Sequence, residues 1–188
     1  MSIIFRRMSM EDVESVWCMF KEIKEEKIDM SFAEISSIEE VTSYVDNPSE
    51  LTYVAVSEED PHTVLCLIKG KREMTEEKKH AVFLSAATAR NARGRGLVSI
   101  LTDYALNEME HEGITIARIY VYSNNISSIK AIQKMDFTHA GTVLMHHKDR
   151  ATGEFVDDLI FHKILNLKAR HSNFRLECLA FSVALMQC

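Results

Sequence analysis

The chain has 188 residues, 46% of them hydrophobic and 27% charged, with a formal net charge of −6. That length suits one domain with a sizeable core, and the composition is ordinary for a soluble globular protein. The acidic balance argues against a nucleic-acid partner, which calls for a basic surface, and is compatible with a cationic substrate such as an amine.

Ile3 to Arg6 is the first strand candidate. Ser9 and Asp12 make an S-x-x-D start signal, and Val13, Val16, Trp17 and Phe20 share one face of a helix running to about Glu26. Lys27 to Ile35, with Met30 and Phe32, reads as a loop. Ser37 and Glu40 form a second capping box, opening a short helix through Val41, Tyr44 and Val45 that ends near Asn47-Pro48. Leu51 to Val56 and Val64 to Lys71 form a hairpin-like pair of strands around Glu58-Glu59-Asp60-Pro61. The charged run Arg72 to Lys79 is a solvated turn.

The next stretch organises the chain. Ala81 to Thr88 is a short apolar strand. A basic turn follows, Arg90-Asn91-Ala92-Arg93-Gly94-Arg95-Gly96. Leu97, Ile100, Leu101, Tyr104, Ala105 and Met109 then keep helical spacing until Gly113 stops the helix. Such a strand–turn–helix presents free backbone N–H groups and the positive end of a helix dipole, a setting that attracts phosphate. Beyond it, Ile116 to Tyr122 is a strand, and Ser123-Asn124-Asn125 breaks it. Ile126, Ile129, Ile132 and Met135 mark a short helix. Thr142 to His147 and Glu154 to Ile164 are two closing strands around a turn at Asp149 to Gly153. The order β-α-α-β-β-β-α-β-α-β-β demands a parallel pair with a crossover in its middle. Residues 166 to 188 follow what looks like a complete domain, and Leu176 to Met186 is strongly apolar. This extension could cover a sheet edge, join a dimer interface, or stay poorly ordered.

Two features bear on location. The start, MSIIFRRMSMED, lacks the apolar core of a signal peptide, and no run approaches the roughly 18 apolar residues of a membrane span. Cys18, Cys66, Cys178 and Cys188 include no CxxC pair and no zinc spacing, so we expect reduced, mostly buried thiols in a cytoplasmic protein.

From about Ile3 to Leu165 the sequence resembles the GNAT superfamily of N-acetyltransferases. The family's Gln/Arg-x-x-Gly-x-Gly/Ala motif falls on Asn91-Ala92-Arg93-Gly94-Arg95-Gly96, where Asn91 departs and both glycines match. The downstream Asn-x-x-Ala-x-x-x-Tyr-x-Lys-x-Gly-Phe pattern falls on Asn125, Ser128, Ile132, Lys134, Asp136 and Phe137. Asn125, Lys134 and Phe137 match, Ser128 is a small replacement, and Ile132 and Asp136 depart. Glu154 to Ile160, with an aromatic and then Asp157-Asp158, resembles the closing strand. Ser99 stands where a dinucleotide fingerprint needs its third glycine, and no Gly-Lys-Ser/Thr of a P-loop occurs.

The resemblance implies an α/β fold: a mixed, mostly antiparallel central sheet of about seven strands with a splayed parallel pair, flanked by about four helices. It implies acetyl-CoA as co-substrate, its pyrophosphate on the backbone of Arg93, Gly94, Arg95, Gly96, Leu97 and Val98. It places the pantetheine arm along Ala86, Ala87 and Thr88, with Asn125 and Ser128 beside it. Each carries a plainer alternative: a tight turn for the glycines, small-residue packing for the alanines, a helix cap for Asn125. The family's usual acid, a Tyr, is Ile132 here, and Tyr122 is the tyrosine nearest the splay. It is the candidate catalytic acid, or a packing residue. For a base, His80, His146 and His147 have a suitable ordinary pKa, one of the latter two facing inward by strand alternation; the alternatives are a water chain as base and a plain surface or core role for each His. Glu22, Glu25 and Glu26 lie near the loop that, by the resemblance, borders the acceptor site, or form a solvated helix face. The expected activity is acetyl transfer to a primary amine of a small metabolite or peptide, with a homodimer possible and with neither nucleic acid nor membrane as a partner. The alternative is a non-catalytic acyl-CoA sensor on the same fold.

Overall fold

A computed structural model describes residues 2–26, 35–149 and 152–165. The loop read from Lys27, up to residue 34, and the extension at 166–188 lie outside the described residues.

Seven strands form one sheet in the order β1-β2-β3-β4-β5-β7-β6. They are β1 (Ile3–Arg7), β2 (Glu50–Ser57), β3 (Val64–Arg72), β4 (Ala81–Thr88), β5 (Ile116–Tyr122), β6 (Thr138–Lys148) and β7 (Phe155–Ile164). All neighbours are antiparallel except β4 and β5. The helices are α1 (Val13–Glu25), α2 (Ile38–Asp46), α3 (Leu97–His111) and α4 (Ile126–Lys134).

Alternation along the strands sorts side chains to two faces. One face receives α3. Its Tyr104 ring packs against Phe5 and Tyr53, and the end of Met109 lies against Gly70 and Val82. Leu101, Ala105 and Met109 have no exposed surface, which accounts for the strict apolar spacing read along this helix. The opposite face receives α2, whose Tyr44 ring lies 4.3 Å from the Lys69 ammonium. Buried Val16, Phe20 and Ile23 of α1 and Val41 of α2 belong to the same continuous core.

Both expected start signals open helical turns, but only Ser9–Asp12 closes as a reciprocal capping box; at the second, Glu40 Oε2 accepts the Ser36 N–H at 3.1 Å, one residue before Ser37. The Ser37 hydroxyl accepts the Glu40 N–H at 3.4 Å, as the spacing requires. At Ser9 the first turn is a 3-10 turn, Met10–Asp12, before α1 begins. Asp12 also has a partner that local spacing does not reveal: Arg6 of β1 donates two hydrogen bonds, at 2.6 and 2.7 Å, to its fully buried carboxylate. Burial alone would raise this carboxyl, but Arg6 and the Ser9 amide outweigh it and hold it below the ordinary value.

Three expectations need correction. β6 begins at Thr138, not Thr142, because its first turn of sequence is polar and glycine-interrupted and its register shifts between His139 and Gly141. Cys18 is exposed on α1, so only Cys66 of the two described cysteines is a core thiol. Strand alternation also fails in β6. Val143 pairs with Asp158 and His147 with Val156, so Leu144, Met145 and His146 together oppose Asp157 alone. Met145 takes a φ of 53° in this bulge, and its N–H donates to Asp157 Oδ1 at 2.8 Å.

The contact between Gly70 and α3 has a direct consequence. A Cβ on Gly70 would lie 2.5 Å from Met109 Cε and 2.8 Å from Val82 Cγ2. Met109 has a flexible end, but Val82 is β-branched and stiff. Gly70→Ala is therefore expected to destabilise the fold by about 1–3 kcal/mol, as overpacking does. Thermal unfolding checks this, and an unchanged midpoint would show that the sheet–α3 interface has slack.

Candidate active site

The site follows from one break in pairing. β4 and β5 pair from Ala81↔Ile116 to Leu84↔Ile119 and no further. Beyond that point each strand stays bonded to its outer neighbour. β4 continues along β3 to Thr88↔Cys66, and β5 continues along β7 to Tyr122↔Asp158. The two strands thus diverge, and the inner edges of Ser85–Thr88 and Tyr120–Tyr122 bound a cleft. Because the strands are parallel, the turns that follow them emerge at the same end of the sheet, the usual location of ligand sites in such folds.

The turn after β4 carries Gly94 and Gly96 at φ of 75° and 74°, in the left-handed region. A Cβ at either would meet no atom within 4 Å, so backbone conformation and open space, not crowding, account for the glycines. Among the described residues, the N–H groups of Gly94, Gly96, Leu97 and Val98 are bonded to no acceptor. They are a run of free donors at the start of α3, where the helix dipole favours an anion. The candidate residues Ala86, Ala87, Thr88, Gly94, Gly96, Leu97 and Val98 therefore lie along one path from the cleft to the helix start.

Arg93 has a different position from the one expected of a phosphate-facing cation. Its guanidinium donates to both carboxylate oxygens of Glu26, at 2.6 and 3.0 Å, and to the Thr88 carbonyl at 3.2 Å. It ties the end of α1 to the end of β4. Glu26 is thus not part of a merely solvated face, and Arg93 holds its carboxyl below the usual range. Glu22 and Glu25 are exposed, as read.

After β5, Asn125 caps α4: its Oδ1 accepts the Ser128 N–H at 3.1 Å and the Ser127 hydroxyl at 3.0 Å. Ile132 is buried, so the position of the usual family acid faces the core. Asp136, where the pattern has Gly, adopts a φ of 60°, a conformation that Asp tolerates better than most residues. Tyr122 ends β5 past the last β4 pairing, half-buried, its ring 3.9 Å from the His147 ring. His80 precedes β4 at the opposite end of the sheet, on the order of 20 Å from Ala86 at the usual rise per strand residue. It is not brought to the cleft.

Two residues gain importance here that pattern reading passed over. Cys66 faces Thr88, with Sγ 3.4 Å from the hydroxyl, and burial pushes its thiol up to about 11. Asp158 is 6% exposed and lies opposite Tyr122 across β5–β7. Its Oδ2 is 3.9 Å from His146 Nε2, and its Oδ1 is buried with no hydrogen-bond partner among the described residues. Burial raises its carboxyl, with His146 and His147 pulling it partly back. The available signal was its inward parity with Val156, next to Asp157, whose carboxylate points to the bulge.

The profile of the Acetyltransferase (GNAT) family matches residues 16–137, nearly two-thirds of the chain. The chain belongs to the GNAT acetyltransferase family. Solved structures agree on the fold. An N-acetyltransferase from Staphylococcus aureus Mu50 superposes with a TM-score of 0.74 at 18% identity, covering 88% of this chain and 100% of that one. A ribosomal-protein-alanine N-acetyltransferase from Brucella melitensis gives 0.73 at 19% identity, covering 86% and 99%. The structure of yncA from Salmonella typhimurium with its cofactor acetyl-CoA gives 0.75 at 13% identity, covering 89% and 96%. A search of curated protein sequences finds no match to this acetyltransferase. Among its described residues, no helix is long and apolar enough to cross a membrane.

Gly96 provides a local check on the turn. Gly96→Ala meets no atom but forces a left-handed backbone on a Cβ, at a cost of about 1–2 kcal/mol. Chemical denaturation of the unliganded protein should show that loss. An unchanged stability would mean that the turn relaxes to another conformation.

Proposed function

We propose that this GNAT protein transfers an acetyl group from acetyl-CoA to a primary amine of a small metabolite or peptide, by direct attack in a ternary complex. The observation that carries the reading is the cleft between β4 and β5, opening beside a glycine turn with unbonded N–H groups. A pyrophosphate needs several donors and little steric bulk, and the Gly94–Val98 backbone offers both. The pantetheine arm resembles a peptide, and the unpaired inner edge of Ala86, Ala87 and Thr88 gives it a strand to pair with. Asn125 spends Oδ1 on its helix cap, which leaves its amide N–H₂ to serve the arm, with Ser128 alongside.

Acetyl-CoA supplies an activated thioester and a thiolate leaving group. The protein's part is to orient the carbonyl, hold donors at the developing oxyanion and move protons. A backbone N–H at Ala87 or Thr88 is the oxyanion donor in this reading. Tyr122, at the end of β5 and clear of β4, donates the proton to the leaving sulfur. Arg93 acts as a structural tie through Glu26 and Thr88, and its backbone and Arg95 complete the turn. Cys66 bears on the route: a buried thiol with a raised pKa holds little thiolate, so it is a poor acyl carrier and direct attack is favoured. The reading includes a cytoplasmic location, with a homodimer as a further possibility, and the 166–188 extension as an appendage to a domain of residues 1–165.

Two measurements on the full chain test this. Acetyl-CoA should raise the thermal midpoint, and free thiol should be released when an amine from a panel of small amines and peptides is added. No stabilisation by acetyl-CoA would overturn the proposed site. Stabilisation with no thiol release on any amine would overturn the enzymatic reading and favour an acyl-CoA sensor.

A further inference from the structure

Asp158 poses a problem that the fold does not answer. Its carboxylate is 9% exposed, it sits amid a sheet, and Oδ1 has no hydrogen-bond partner among the described residues. A buried carboxylate without donors costs folding free energy, so an Asp kept at such a place calls for a ligand or a role. Its surroundings narrow that role. Tyr122 is its cross-strand partner on β5, at the end of the strand where the cleft has opened. His146 Nε2 lies 3.9 Å from Oδ2, and the His147 ring covers Tyr122. Regular alternation would turn His146 and His147 to opposite faces. The bulge at Leu144–His146 cancels that alternation and brings both toward one carboxylate. Bulges that re-aim side chains recur beside active sites.

We propose that Asp158 is the catalytic residue that binds the acceptor ammonium and takes its proton, with His146 relaying that proton to solvent. The inference rests on the acetyl-transfer reading above and names its acceptor class: amines that are cationic at neutral pH. An ammonium supplies three donors to an acceptor-only carboxylate, a charge-assisted match. One proton passes from nitrogen to Asp158 and onward through His146, whose side chain is 49% exposed. The freed lone pair attacks the thioester carbon; the C–N bond forms and the C–S bond breaks. The second nitrogen proton leaves with the collapse of the intermediate, and the thiolate is protonated at Tyr122, which that proton replenishes. The sum is one amide, one thiol and one proton released. The groups facing Asp158 are His146 and His147 from β6 and Tyr122 from β5. A carboxyl raised by burial is ionised only above its ordinary range, so activity should fall as pH drops through that ionisation, and this limb should vanish when the carboxyl is removed.

The test uses full-length protein with benzylamine, putrescine and L-lysine as cationic probes and aniline as a neutral one. Asp158→Asn should keep acetyl-CoA stabilisation while kcat/KM for the cationic probes falls at least about 100-fold, the scale of a lost general base. Aniline should lose far less, and benzylamine should no longer bind the protein in the absence of acetyl-CoA. Removing a buried charge that the two histidines offset only in part should leave Asp158→Asn as stable as the parent or more so at pH 7, the two converging at low pH. The sign follows because a raised folded-state pKa makes the ionised form the less stable one. Asp158→Ala with added formate should recover part of the lost rate. Asp158→Asn within about threefold of the parent on all cationic probes, well inside the loss expected of a base, would overturn the assignment alone. So would a loss of activity that tracks a loss of stability, with no rescue by formate. A parent protein silent on the whole panel would overturn both this assignment and the enzymatic reading.

Discussion

Everything at the candidate site depends on two strands that stop pairing in the middle of a sheet. Backbone N–H and C=O groups inside a sheet are expected to be bonded, and an internal gap leaves polar groups that water or a ligand must satisfy. The gap survives because each strand is anchored on its outer side. β3 holds β4 to its last residue, and β7 holds β5 to its last residue. Pairing energy on the outer edges keeps the inner edges apart. Such a gap is a strand-shaped vacancy, suited to an extended, amide-bearing arm.

The remaining parts follow from that geometry. Parallel β4 and β5 send both of their turns to one end, so the glycine turn before α3 and the Asn125 cap of α4 flank the mouth of the cleft. Glu26 and Arg93 clamp the turn from the α1 side, bonding to Thr88 at the strand's end. The β6 bulge completes the other side by turning His146 and His147 toward Tyr122 and Asp158. In the proposed reading, phosphate binding and proton transfer are therefore separated. Backbone donors stand at the helix start, and titratable side chains gather at the end of β5 and on the closing hairpin.

How far the sequence foretells this depends on the range of the interactions involved. The limits of β4 and β5 and the start of α3 were legible because local chemistry sets them: apolar strand patterning, Gly94 and Gly96 in left-handed conformations, and Gly113 at a φ of 86° past the helix end. The family resemblance carried the fold, although Ile132 and Asp136 departed from it. Asp136 stands where the pattern has Gly and takes a left-handed backbone, which glycine adopts freely. Long-range features were not legible. Arg93–Glu26 joins residues 67 apart, and Arg6–Asp12 links a strand to a helix start, with no local pattern to announce either pair. The bulge was hidden for a related reason: alternation predicts one inward histidine, and only the register against β7 shows two extra residues on β6. Asp158 stood in plain view as half of an Asp-Asp pair, but its burial depends on which of the two faces Tyr122.

The central claim is that the glycine turn and the inner edge of β4 form one continuous binding surface for acetyl-CoA. An amide-resolved NMR titration of the isotopically labelled protein with acetyl-CoA tests it most directly. The account predicts the largest shifts at the N–H groups of Gly94, Gly96, Leu97 and Val98, extending to Ala86, Ala87 and Thr88, with little change at His80 or along β1. Saturable binding that leaves the Gly94–Val98 amides unmoved would contradict it.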